Sequence, residues 1–251
     1  ELTRNVLTAG EPSDFSKIIL GRAGLLDQFG SDPEAALWTL HTEVAAGRRG
    51  SNQVFALAEL SFLHAERTKQ RSYYFAAAIY AYAFLFPSAG TPVPAPHDPR
   101  YRNACDLYNR ALTAALQSKD GSRVEPAVGV LPLPFGELDI ALDRAPVVWL
   151  DRGLVEFVPV ANLEVKGLRN RYRRAGLGAP VAASTVAGAA RVGLEIPPRV
   201  KVPATFFLRL DDPWAQLRTG RVQGQLELYV TSDTEAVEIG DRTVGLEAEP
   251  T

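Results

Sequence analysis

Apolar residues recur at helical spacing through the first half of the chain and at alternating spacing through the second. Phe15, Ile18, Ile19, Leu25, Leu26 and Phe29 fall close to a 3.6-residue period and predict a helix over 14–29. The run Ser31-Asp32-Pro33-Glu34 combines an N-cap residue, a proline suited to a first turn and a capping-box glutamate. It predicts a second helix through Ala35, Leu37, Trp38, Leu40 and Val44 that stops at Gly47. A third helix begins after Ser51 and carries Val54, Phe55, Leu57, Ala58, Leu60 and Leu63. A fourth covers Tyr73 to Phe86, where alanines alternate with aromatics and no charge occurs. That stretch is shorter than the roughly 20 residues a membrane span requires, so it reads as a buried central helix. Five prolines between Pro87 and Pro99 make a long loop, and a fifth helix follows from Arg100 to Ser118.

Between Lys119 and Pro126 the Ala-rich pattern stops and β-branched alternation takes over. Strands are predicted at 136–143, 147–150, 154–160, 202–210, 221–230, 236–239 and 243–247, with turns at Asp151-Arg152-Gly153 and Gly240-Asp241. The expected class is α+β: a helical bundle, similar to a degenerate helical-repeat array, over 1–121, then an antiparallel β-sandwich or barrel over 122–251. Helices and strands do not alternate, which argues against a doubly wound sheet.

Charge changes this picture little. With 27 Lys+Arg against 29 Asp+Glu the formal net charge is -2, so there is no global field for a polyanion and no nucleic-acid partner is expected. A single cysteine, Cys105, excludes an intrachain disulfide, and its place near the stripe of the fifth helix reads as a buried, inert thiol. The chain starts at Glu1 and contains no Met, which is read as a fragment or a processed product.

No complete catalytic set is legible. Gly-x-Ser-x-Gly is absent, and Ser184 has no flanking glycine. His41 and His64 lack a second ligand one turn away, so no metal is expected; they read as capped or surface histidines. His97 stands beside Asp98 without a nucleophile, and Gly176-Leu177-Gly178 lacks the third glycine of a phosphate loop; no cofactor is expected. The most distinctive run is Gly167 to Pro180, with Arg169, Arg171, Tyr172, Arg173 and Arg174 in six residues. Arginine beside an aromatic pairs bidentately with carboxylates, grips phosphate or stacks on bases. We read these five residues as a contact to acidic groups of an adjoining domain or partner.

Several stretches together carry a resemblance: Leu2 to Thr8, Ala56 to Phe62, Ala81 to Pro87, Ala104 to Leu112, Arg169 to Pro180 and Leu208 to Pro213. They resemble the amino-terminal region of bacterial α/β-hydrolase-family proteins described as exported lipases or esterases. None of them is a catalytic motif, and in that family the catalytic domain follows this region. The resemblance therefore implies a non-catalytic accessory region that shapes or shields an active site. It also implies a catalytic α/β-hydrolase domain as partner, in cis or as a separate chain, and an exported setting with a lipoprotein anchor as one form of it. The alternative from architecture alone is an independent binding or assembly module. A third reading, a self-sufficient enzyme built from His97, Asp98, Cys105 or Ser184, has the least support. Oligomeric state is left open.

Overall fold

The structure, a computed structural model, describes residues 7, 10–48, 50–87, 93–95, 97–143, 148–149, 152–162, 173–186 and 200–248. The chain is α+β. Its contacts divide it into two compact units, one of 1–115, 128–141 and 210–224, the other of 116–127, 142–209 and 225–251. A single cut near Gly121 does not reproduce this division. After the helices the chain returns twice to the first unit, because a hairpin and a short helix from the β-rich half complete its core.

The first unit holds α1 (Asp14–Ala23), α2 (Leu26–Ser31), α3 (Pro33–Ala45), α4 (Ser51–Thr68), α5 (Arg71–Leu85), all but the last residue of α6 (Pro99–Leu116), and α7 (Pro213–Thr219). The single helix expected over 14–29 is two, because Gly24 takes the left-handed conformation (φ 69°) and caps α1. Ser13 caps the other end of α1 by accepting from Ser16 N, and α3 starts at Asp32, whose carboxylate accepts from Ala35 N at 3.1 Å.

Every residue of α5 from Tyr73 to Leu85 is buried. Its alanines let neighbouring backbones approach while its rings fill the space between them, and each fully buried large apolar side chain contributes about 1.5–3 kcal/mol. Arg71 at its start donates to Ala115 O at 2.5 Å, satisfying a carbonyl in the last turn of α6.

The hairpin β1 (Gly129–Leu133) and β2 (Gly136–Leu142) pairs from Gly129↔Ile140 to Leu133↔Gly136, so Pro134 and Phe135 form a two-residue turn. Pro132 sits in β1 without disrupting a sheet because β1 is an edge strand paired to β2 alone. Gly136 has φ 150° and packs so closely on Gly220 that an added Cβ would lie 1.9 Å from Gly220 O. The same contact is held by Glu137 N donating to Gly220 O at 2.9 Å. α7, absent from the expectation, is seven residues long, capped by Asp212, and fixed by Trp214 Nε1 donating to Ala83 O of α5 at 2.9 Å.

The second unit is built on β3 (Val148–Trp149), β4 (Arg152–Pro159), β5 (Ala179–Thr185), β6 (Val202–Leu210) and the later part of β7 (Arg221–Val230), which neighbour one another in the order β7-β6-β5-β4-β3. The pairs β3/β4 and β4/β5 and the pair β5/β6 are antiparallel. A short hairpin, β8 (Ala236–Ile239) and β9 (Arg242–Gly245), forms a separate two-stranded ladder. β5 was not expected: Ala-rich sequence after an arginine run does not look like a strand, yet Ala179, Val181, Ala182 and Ala183 are buried between β4 and β6. No helix among the described residues is long and apolar enough to cross a membrane.

G136A tests the hairpin packing against G24A, a second positive-φ glycine with open space around it. We expect G136A to lower the unfolding free energy by at least about 2 kcal/mol, through backbone clash plus strain, and G24A by about 1 kcal/mol through strain alone. Thermal or denaturant unfolding of the two variants checks the ordering.

Candidate functional site

The residues that converge on a recess in the first unit come from three helices and the hairpin turn. Glu34, Leu37, Trp38 and His41 lie at i, i+3, i+4 and i+7 on one face of α3. Tyr73, Ala76 and Tyr80 lie on one face of α5, Ser61 comes from α4, and Pro134-Phe135 come from the turn of the hairpin. The recess encloses about 260 Å³ including its open mouth.

His41 is the centre of the recess, and it is buried rather than at the surface as expected. Phe135 stacks on its ring at 4.5 Å between centroids with 22° between planes. Its Nδ1 and the Tyr80 hydroxyl share a hydrogen bond of 2.8 Å, so both buried polar atoms are satisfied. Burial disfavours the charged imidazolium and lowers the His41 pKa to about 4, leaving a neutral ring at pH 7. Burial also pushes the Tyr80 hydroxyl well up, helped by Tyr73. Tyr73 is pushed to about 12, first by burial and then by the fields of Glu34 and Asp32.

At the mouth, Glu34 Oε1 accepts from Gln70 Nε2 at 3.1 Å and lies 3.2 Å from His64 Nε2. His64 is itself buried, edge-on to Tyr73 at 4.4 Å. Trp38 is 55% exposed beside it. The sequence reading missed Phe135 and Tyr80 as members of a site. Pro-Phe-Gly just ahead of the alternating run 136–143 was the available signal for the turn, but nothing local shows where its ring goes.

The other sequence candidates are dispersed. Arg169, Arg171 and Tyr172 lie outside the described residues. Arg173 and Arg174 do meet carboxylates, but within their own unit: Arg173 Nε pairs with the buried Glu247, and Arg174 pairs with Glu235 at 3.2 Å and donates to Thr231 O at 3.1 Å. Glu247 also accepts from Gly176 N at 2.8 Å. Gly176 and Gly178 are therefore packing glycines. A Cβ on Gly176 would sit 2.4 Å from Gly245 O, and one on Gly178 2.1 Å from Thr205 Cγ2.

Ser184 accepts from Lys201 Nζ at 2.7 Å and donates to Glu156 Oε2 at 3.3 Å. Glu156 is exposed at the β4 bulge, with φ 51°. Asp98 is engaged by Arg100 through Nε and Nη2, and His97 beside it is exposed. Cys105 is partly exposed on α6. Among the described residues no His, Cys, Asp and Glu side chains cluster as metal ligands.

The lowered His41 pKa carries a pH dependence. The unfolded chain binds a proton at about pH 6.5 that the folded chain refuses until about pH 4, so stability is full above 6.5 and is lost as pH falls through that window. We expect wild type to lose up to about 3 kcal/mol more than H41Q between pH 7 and pH 4, read by denaturant unfolding at each pH. Equal losses would show that His41 is not the titrating group. No family model matches the chain, and no curated protein or solved structure matches it either.

Proposed function

We propose that this chain is a non-catalytic accessory region of an α/β-hydrolase-type lipase or esterase of an exported protein, shaping or shielding the active site of a catalytic domain. One observation carries the reading: most segments of the resemblance lie on elements that build the cores of both units. Ala56 to Phe62 is buried throughout within α4, and Ala81 to Leu85 is the buried end of α5. In α6, Ala104, Leu107, Tyr108, Ala111 and Leu112 are buried. Leu208 to Pro213 runs from β6 into the cap of α7. In this reading the chain shares with that family an architecture, a helical array joined to a barrel-like or sandwich-like β region, and not an active site.

In this reading Arg169, Arg171 and Tyr172 contact acidic groups of the catalytic domain, while Arg173 and Arg174 are engaged within their own unit by Glu247 and Glu235. The recess around His41 favours the second reading, an independent binding module, since a binding module needs a pocket of its own.

Hydrolysis of short-chain p-nitrophenyl esters separates these readings from a self-sufficient enzyme. The chain alone is expected to give no turnover sensitive to a serine-reactive phosphonate, and to form a stable complex with a separately supplied hydrolase domain. Covalent phosphonate labelling of this chain, removed by S184A, would overturn the accessory reading. Absence of any complex would favour the independent module.

A further inference from the structure

The open side of the recess is acidic and its walls are aromatic. Glu34 stands at the mouth with its side chain 54% exposed, and Asp32 precedes it at the N-cap of α3. Their combined field reaches the Tyr73 hydroxyl inside. The walls are Trp38, Tyr73, Tyr80, Phe135 and the neutral ring of His41; among the described residues no Lys or Arg lines the recess. The negative faces of aromatic rings and nearby carboxylates attract a cation and repel an anion. Trp38, the strongest cation-binding ring type, keeps more than half of its surface in water at this mouth.

We propose that the recess binds a small organic cation, an alkylated ammonium of the choline class, with its charge between the Trp38 indole and the Glu34 carboxylate. The form of the cation follows from the hydrogen bonds already made. The Glu34 contacts to Gln70 and His64 both fall on Oε1, so Oε2 carries neither of them. A guanidinium needs two carboxylate oxygens for its planar fork, whereas an alkylammonium is a rounded charge that asks for aromatic faces and one counter-charge. This inference is independent of the accessory reading, since it concerns binding and not hydrolysis.

Titration calorimetry with choline, tetramethylammonium and 3,3-dimethylbutan-1-ol, the uncharged shape-match of choline, tests it on the unmodified chain. Saturable binding of both cations is expected, with the alcohol at least about tenfold weaker. W38L and E34Q, both at exposed positions, are expected to weaken choline about threefold to tenfold, while E34Q leaves the alcohol unchanged. Thermal midpoints of the variants confirm that they fold. An alcohol that binds as well as choline, or no saturable choline binding, overturns the proposal without recourse to any variant, as does choline affinity indifferent to both substitutions. Co-sedimentation with phosphatidylcholine but not phosphatidylglycerol vesicles would identify a lipid headgroup as the source of the cation; choline binding without vesicle binding would identify a free solute.

Discussion

The burial of α5 on every side is the constraint from which the first unit follows. A helix with no charged residue between Tyr73 and Phe86 has no face to offer water, so other elements must cover it all round. The covering comes from α4 and the β1–β2 hairpin, with α7 tied on through Trp214. A partner for a buried hydroxyl on the helix is stabilising, because leaving one unpaired costs about 1–3 kcal/mol. Tyr80 finds His41 and Tyr74 donates to Glu66 at 2.8 Å. The buried imidazole of the recess accompanies the burial of a tyrosine-rich helix, and Phe135 stacks over it, adding to the burial that disfavours its charged form.

The second unit depends on buried charge rather than on one central element. Glu247 is buried and held by Arg173 and Gly176, and Glu227 is buried and gripped by Arg209 at 2.8 and 3.1 Å while accepting from Tyr229 at 2.7 Å. Pairs of this kind add little net stability against apolar replacements, but removing one partner leaves an uncompensated charge. Arg209 also ties β6 to β8 by donating to Glu238 O at 2.7 Å.

What the sequence disclosed was governed by range. Local signals were legible: Asp32-Pro33 starting α3, the uncharged Ala-aromatic run of α5, and the alternation of β6 and β7, whose observed bounds of 202–210 and 221–230 agree with the expected ones. β1 was hidden by Pro132, which an edge position tolerates, and β5 by alanines that owe their strand conformation to β4 and β6 on either side. His41 looked like a surface residue because nothing on α3 itself announces the hairpin that covers it. For Arg173 and Arg174 the chemistry of carboxylate pairing was readable, but Glu247 lies 74 residues beyond Arg173. The glycines at 176 and 178 were legible as something other than a phosphate loop, and their reason, close approach to segments near 205 and 245, is equally non-local.

The hairpin turn that carries Phe135 has a consequence for the order of assembly. Helices α1 to α5 are joined by short connections, and α1 to α6 are made before the hairpin and α7, so they can collapse early, with α5 still uncovered along the side that the hairpin and α7 later occupy. The ring that seals His41 arrives about 50 residues after α5, and α7 about 130 residues after it. Until then a nascent chain presents an aromatic, hydroxyl-rich flank to the cell's chaperones, and a fragment cut where composition changes would keep that flank permanently bare.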